Sequence, residues 1–144
     1  MTLLHHHDRL EGDLVIEVAF TDVSLSLGDA AADDVRADAL RRVAEATGST
    51  PVLMHQVHGA HVDVVDEPRT GRAVPADAMV TARPGVALLA RAADCVPVLL
   101  ADPATGWIAA VHSGRPGLAA GVVPAAVATV SARPPVRATS GSVP

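Results

Sequence analysis

The chain has 144 residues, of which 49% are hydrophobic, mostly Ala and Val, with one Trp, one Phe and no Tyr. A domain of this length can bury a core of its own, but this one lacks an aromatic platform on which nucleic-acid bases could stack. The net charge is −5 and the arginines are scattered. The composition therefore excludes a basic nucleic-acid footprint, and we expect no nucleic-acid partner.

The single cysteine, Cys95, excludes an intramolecular disulfide and suits a reducing compartment. Residues 1–10 lack the charged start and apolar run of a signal peptide, and no apolar segment reaches the roughly 20 residues that span a bilayer. We therefore expect a soluble, cytoplasmic monomer that does not contact a membrane. We interpret His5, His6 and His7 as part of a frayed, solvated terminus rather than as a metal-binding tract.

The first predicted elements are a strand and a helix. Val15–Phe20 has the short, β-branched character of a strand. Asp33 is placed as the N-cap of a helix that Gly48 ends. The apolar stripe of this helix consists of Val35, Ala39, Leu40, Val43 and Ala44.

Extended runs at 52–58 and 61–64 flank Gly59-Ala60 and predict a hairpin whose turn lies beside His58. Turn-forming residues divide the segment that follows into short pieces. These are a loop at 66–75, a strand at 78–81, a turn at 83–85 and an extended segment at 86–90.

A second hairpin is predicted from strands at 96–101 and 107–112, because residues 102–106 contain the Pro and Gly of a tight connection. The register usual for loops of four or five residues places Cys95 opposite His112, or nearly so. Cross-strand neighbours lie about 4.5–5.5 Å apart at Cβ. These two side chains would therefore be close enough to share a metal ion or a proton.

The end of the chain is rich in Ala and Pro. Residues 118–130 predict a helix that Pro124 interrupts and that Arg133-Pro134-Pro135 stops. We expect a single domain over residues 1–131 and a disordered tail over residues 132–144.

His58, Cys95 and His112 each lie near the end of a predicted strand. Catalytic zinc sites take three protein ligands from His, Cys and acidic residues and leave a fourth position open. Cys95 as a nucleophile with His112 as its base would instead make a thiol hydrolase, and a lone Cys is commonly a small buried hydrophobe. The residues alone leave these interpretations open, although they supply too few ligands for a multicopper oxidase.

Four segments resemble, in order, the motifs of the laccase-domain, or polyphenol-oxidase-like, family. They are QVHG at 56–59, ADAMVT at 76–81, ADCVPVLL at 93–100 and AVH at 110–112. The resemblance runs from about Asp33 to Val123. It implies an α/β (α+β) fold with four layers, α/β/β/α, and a mixed central sheet, of which the C-terminal part would be missing here.

The resemblance also implies an activity. Members of the family are zinc-dependent purine nucleoside phosphorylases acting on adenosine, inosine, guanosine or methylthioadenosine with phosphate, and adenosine deamination accompanies this reaction. By position, the family's metal-binding and catalytic residues correspond to His58, Cys95 and His112. Zinc is the expected metal and copper is less favoured.

On this interpretation Cys95 binds the metal as a thiolate. Asp77 and Asp94 are candidates for holding a ligand histidine in one tautomer. Gln56 is a candidate for a hydrogen bond to the purine edge or the ribose, and Arg115 for a contact with phosphate.

The chain departs from the family pattern in three places. Phe20-Thr21 is not followed by the family's Arg and Gly-Gly turn, and SGRPG at 113–117 replaces AGWRG. The family's further helices and strands are not found after residue 131. These departures favour an alternative, a catalytically weakened or inactive relative that acts as a metal- or nucleoside-binding module.

Overall fold

The computed structural model describes residues 4–9 and 15–135, with side chains from residue 15 onward. This part of the chain contains nine strands and three helices. The strands are β1 (Leu4–Arg9), β2 (Val15–Phe20), β3 (Thr50–His55), β4 (Val62–Val64), β5 (Val74–Pro75), β6 (Ala78–Thr81), β7 (Val86–Leu89), β8 (Val96–Asp102) and β9 (Trp107–Ser113). The helices are α1 (Asp33–Thr47), α2 (Arg115–Ala119) and α3 (Val122–Ser131).

The strands form three sheets. β1 and β2 pair antiparallel, and β3 lies between β5 and β7, parallel to both. The third sheet has the order β4-β6-β9-β8, in which β6 runs parallel to β4 but antiparallel to β9, and β9 runs antiparallel to β8. The predicted mixed sheet is therefore confirmed.

The two larger sheets lie face to face between α1 and α3. Side chains alternate between the faces of a strand, and in β6 Met79 packs with Val52 of the β3 sheet whereas Val80 packs in the cluster formed with α3. On the outer side of the β3 sheet, Val43 of α1 packs with Leu89. The α/β/β/α order that the resemblance implied is thus present.

Two predictions near the N-terminus are wrong. Residues 4–9 are not frayed, because their backbone pairs with β2 along its whole length. Asp33 is not the N-cap of α1. Ala32 holds that position without a capping side chain, and Asp33 forms an ion pair with Arg36 instead. Gly48 ends the helix as predicted, in the left-handed conformation at φ 63°.

The predicted hairpin around Gly59-Ala60 is also wrong. β3 ends at His55, and β4 pairs with β6 in the other large sheet rather than with β3. His58 therefore lies on a crossover between the two sheets. The alternation of apolar residues reports which face of a strand is buried and does not report which strand lies beside it.

The break in the last helical segment lies at Gly121, not at Pro124. Gly121 has φ 87° and separates α2 from α3. Pro124 lies in the first turn of α3, where a missing N–H costs no intrahelical bond. Of the predicted tail, residues 136–144 lie outside the described residues. No helix in the described part of the chain is long and apolar enough to cross a bilayer.

The second hairpin is confirmed, but its register differs from the prediction. β8 continues to Asp102, and Pro97 rather than Cys95 pairs with His112. The carboxylate of Asp102 accepts hydrogen bonds from the backbone N–H two residues on (2.9 Å) and the hydroxyl three residues on (2.7 Å). These bonds close a four-residue turn, so Cys95 lies just before β8, displaced by two positions from the residue that faces His112.

Candidate metal centre

The side chains of His58, Cys95 and His112 meet although they come from three different segments. Their ligand atoms all lie within 4.8 Å of one another. Cys95 Sγ lies 3.9 Å from Nε2 of His58, and the two imidazole rings stand edge to face with centroids 4.8 Å apart. The predicted trio is therefore brought together in space.

The three side chains differ in their access to solvent. His112, on β9, is 2% exposed, Cys95 is half-buried and His58 is exposed. One side of the cluster is thus fixed in the protein interior and the other opens to solvent. A catalytic metal site needs such an open side for its fourth ligand.

Asp77 holds two members of the cluster in place. Its fully buried carboxylate lies 2.8 Å from Nδ1 of His112. The same carboxylate accepts backbone hydrogen bonds from Val57 (3.3 Å), His58 (2.9 Å) and Gly59 (2.7 Å). The backbone N–H of His112 also donates to the Asp77 carbonyl at 2.7 Å.

The backbone of His58 adopts φ 61°, and it is the only non-glycine residue with positive φ in the described chain. This conformation costs a residue with a Cβ roughly 1–2 kcal/mol. It turns three successive N–H groups toward one anion, an arrangement known as a nest. Hydrogen bonds to a charged acceptor contribute about 1.5–3 kcal/mol each, which offsets the cost.

The electrostatics of Asp77 follow from these contacts. Burial by itself raises the pKa of its carboxyl, but the hydrogen bonds from the His112 ring and from the backbone of residues 57–59 outweigh it. The pKa of Asp77 therefore lies below its usual value. The carboxylate is a stable acceptor for Nδ1 of His112, which leaves Nε2 of that ring for a metal.

Glycines allow the chain to pass close to the cluster. A Cβ added at Gly114 would lie 3.0 Å from both Cys95 Sγ and Cδ2 of His58, and one added at Gly117 would lie 2.8 Å from the carbonyl oxygen of Gly59. The start of α2 is therefore packed directly against the segments that carry His58 and Cys95.

The other predicted site residues lie around this cluster in different settings. Gln56 and the three residues of the cluster line one groove of about 1550 Å³. The amide of Gln56 pairs with the backbone of Arg91. Asp94 lines the same groove and is exposed, with no hydrogen bond to another described residue. Arg115, also exposed, is the first residue of α2. Their proposed roles stay predictions.

The sequence predicted Asp77 as a partner of a ligand histidine. It did not predict that the same carboxylate accepts hydrogen bonds from the backbone of residues 57–59. It also missed the close approach of Gly114 and Gly117. The run Gly114 to Gly117, with two glycines around Arg-Pro, is a signal of close backbone approach that the sequence offered.

The donor set fits a metal ion. Two imidazole nitrogens and one sulfur converge, one histidine is held by a carboxylate through its other nitrogen, and Gly114 leaves room beside the sulfur. Nitrogen and sulfur ligands of this kind suit zinc and copper better than magnesium or calcium. In residues 15–135 this is the one cluster of three or more His, Cys, Asp or Glu side chains placed to hold a metal ion.

The family model described as multi-copper polyphenol oxidoreductase laccase matches residues 7–142. The chain therefore belongs to this family. It is 57% identical over 109 residues to a purine nucleoside phosphorylase of Streptomyces coelicolor. The matched residues cover 72% of this chain and 45% of that relative. A purine nucleoside phosphorylase of Streptomyces griseus is 54% identical over 110 residues, with 72% and 45% covered.

The fold agrees with a solved relative. A crystal structure of a Neisseria meningitidis protein matches with a TM-score of 0.66 and 32% identity, over 73% of this chain and 44% of that one. The chain thus spans less than half the length of the relatives that it matches.

Proposed function

We propose that the chain carries the zinc site of a purine nucleoside phosphorylase. The observation that supports this most directly is the convergence of His58, Cys95 and His112, with Asp77 behind two of them. The names of the Streptomyces relatives supply the reaction class. The substrates proposed are adenosine, inosine, guanosine or methylthioadenosine together with phosphate.

In phosphorolysis the bond between C1′ of the ribose and the purine nitrogen breaks, and a phosphate oxygen bonds to C1′. The purine leaves with the bonding electron pair and takes up a proton. When bound, zinc would supply Lewis-acid chemistry, orienting phosphate or an activated water. Activated water would account for the adenosine deamination that we propose as a companion activity.

The residues of the chain take separate roles in this proposal. Cys95 serves as a thiolate ligand, and Asp77 keeps Nε2 of His112 directed at the metal by holding Nδ1. Arg115, at the exposed start of α2, is proposed to meet phosphate. The second amide N–H of Gln56, which the Arg91 carbonyl does not use, is proposed to meet the purine edge or the ribose.

The test is incubation of the zinc-loaded chain with adenosine and phosphate, followed by chromatography. Adenine indicates phosphorolysis and inosine indicates deamination. Both should disappear in Cys95→Ala. If a folded, zinc-loaded sample releases neither product, the activity of this chain is refuted.

A second candidate is a binding module without turnover. It is favoured because SGRPG at 113–117, directly after His112, replaces the AGWRG of the family pattern. Calorimetry with adenosine distinguishes the two, since a module binds the nucleoside and releases no base. Turnover would exclude it.

The contact between Asp77 and His112 also suits a thiol hydrolase, in which His112 would take a proton from Cys95. In that case alkylation of Cys95 would abolish activity and removal of metal by a chelator would not. Loss of activity on chelation would refute the hydrolase.

A further inference from the structure

Gln56 and Arg91 form a two-bond clamp outside the metal cluster. Nε2 of Gln56 donates to the carbonyl oxygen of Arg91 at 2.8 Å, and the backbone N–H of Arg91 donates to Oε1 of Gln56 at 2.8 Å. The amide thereby replaces a strand partner beyond the end of the β3-β7 ladder, whose last pair is Leu53 with Leu89. The clamp continues the connection between the two strands after their backbones separate.

The position of the clamp relates it to two of the ligands. Gln56 lies two residues before His58, and Arg91 lies four residues before Cys95. Residues 90–95 have no regular structure between β7 and β8, and residues 92–94 are exposed. Arg91 is therefore the anchor of the segment that leads to the sulfur ligand.

The side chain of Arg91 fixes this anchor from a second direction. This side chain is 14% exposed, and its guanidinium donates to the carbonyl oxygens of Leu27 at 3.1 Å and Met54 at 3.4 Å and forms an ion pair with Asp29. Met54 belongs to β3 and Gln56 follows its end, so the side chain of Arg91 bonds to β3 and its backbone bonds to the residue just after β3. A displacement of Arg91 would break bonds to two separate segments.

Asp77 does not hold Cys95 in place. Its hydrogen bonds go to residues 57–59 and to His112, so it relates the two histidines to each other. A different contact must therefore hold Cys95 close to His58. The clamp provides one, because it ties the segment before Cys95 to the segment before His58.

We propose that Gln56, through Arg91, is a positioning residue that sets the separation of Cys95 and His58. This inference rests on the metal site of the proposed function. In the structure the separation is 3.9 Å between Sγ and Nε2. A clamp that holds the two groups near their metal-bound separation lowers the conformational entropy lost when the metal binds.

The test compares the full chain with Gln56→Met, which keeps side-chain length and removes both hydrogen bonds. Zinc affinity is measured by competition with a chromogenic chelator, and the cobalt-substituted protein is examined for its thiolate-to-cobalt absorption band. We expect zinc affinity to fall about tenfold, the lower end of the loss found when groups behind metal ligands are changed. The thiolate band should weaken, since Cys95 is the ligand released.

The matched control is Thr81→Val, which removes a buried 2.6 Å hydrogen bond to the Val65 carbonyl outside the cluster. It should lower the melting temperature and leave zinc affinity and the cobalt band unchanged. Gln56→Glu, which keeps the acceptor for the Arg91 N–H, should give an intermediate loss and also serves if Gln56→Met does not fold.

The outcomes separate this inference from the proposed function. If the unchanged chain binds neither zinc nor cobalt, the metal site is refuted and the inference with it. If the unchanged chain binds both and Gln56→Met binds them equally well, the inference alone is overturned. An equal loss in Thr81→Val also overturns it, because general destabilisation would then explain the result.

Discussion

The Asp77 carboxylate lies 2.8 Å from Nδ1 of His112, and both side chains are almost completely buried. Because the same carboxylate accepts a hydrogen bond from the backbone N–H of His58, one acidic group positions two histidines of the cluster that lie 54 residues apart in the sequence. The hydrogen bonds of this carboxylate therefore fix the positions of the two histidines relative to each other. Side chains held in their binding positions lose less entropy when a ligand binds.

Replacement of this carboxylate should damage both the fold and the metal site. In Asp77→Asn an amide NH₂ faces groups that are themselves donors, so at least one buried N–H loses its acceptor. We expect a loss of about 1–3 kcal/mol in the free energy of unfolding and a 10–100-fold loss in zinc affinity. Urea unfolding and chelator competition measure the two effects.

Asp102→Asn is the control for the change in charge. It removes one negative charge at the opposite end of the β8-β9 hairpin, where Asp102 closes the turn. Its zinc affinity should equal that of the unchanged chain. Unaltered zinc affinity in Asp77→Asn would show that this carboxylate does not position the ligands.

The identity of the cluster could be predicted from the sequence, but its arrangement could not. Local motifs single out His58, Cys95 and His112 because these residues stand in recognisable short segments. They offer Asp77 and Asp94 on equal terms as partners of a histidine, and only the fold shows that Asp77 is in contact with one. The crossover that carries His58 depends on β4 pairing with β6 across the fold, and apolar alternation holds no information about distant partners.

The register of the second hairpin shows the same limit at shorter range. Two hydrogen bonds to one side chain, Asp102, lengthen β8 and move Cys95 away from the position opposite His112. The contact survives because Cys95 approaches from the loop before β8. Cys95 and His112 were predicted to meet as cross-strand neighbours. They meet instead because the loop before β8 brings Cys95 to the cluster.

Metal content should depend on the thiol. We expect about one zinc per chain by elemental analysis of the purified protein, and a large loss in Cys95→Ala because two histidines remain of three ligands. Cys95→Ser tests whether sulfur itself is needed, since a hydroxyl keeps the size of the side chain and is a poor zinc ligand. A folded chain that holds no zinc would contradict the proposal.

Gly114→Ala should weaken metal binding with little effect on the fold. Gly114 has φ −74°, which alanine adopts without strain, but its new Cβ would lie 3.0 Å from Cys95 Sγ and His58 Cδ2. Both ligands must shift, and we expect about tenfold weaker zinc binding. Gly71→Ala, which meets no atom within 4 Å, is the control. Equal zinc affinities for the two variants would show that Cys95 and His58 can shift away from the new Cβ without weakening metal binding.

The turn that sets the hairpin register should contribute stability in a pH-dependent way. Hydrogen bonds from the Thr105 hydroxyl and the Ala104 N–H lower the pKa of Asp102. Since this pKa is lower in the folded chain, the stabilisation is present above the unfolded-state pKa, about 3.9, and is lost as pH falls through the folded-state value. Asp102→Ala should therefore unfold at lower urea than the unchanged chain at pH 7, with the difference shrinking toward pH 3. A constant difference would exclude the carboxylate as its source.

Gly117→Ala should act on the fold rather than on the ligands alone. Its Cβ would lie 2.8 Å from the Gly59 carbonyl oxygen, and this backbone cannot rotate away as the tip of a side chain does. Because Asp77 holds the N–H of Gly59, the overlap must displace either α2 or the segment bound to Asp77. We expect a loss of about 1–3 kcal/mol in the free energy of unfolding, the range for overpacked sites, measured by urea unfolding of the metal-free chain. Gly28→Ala, which also meets no atom within 4 Å, should change little, and an equally small effect in Gly117→Ala would mean that α2 is free to move away from the metal centre.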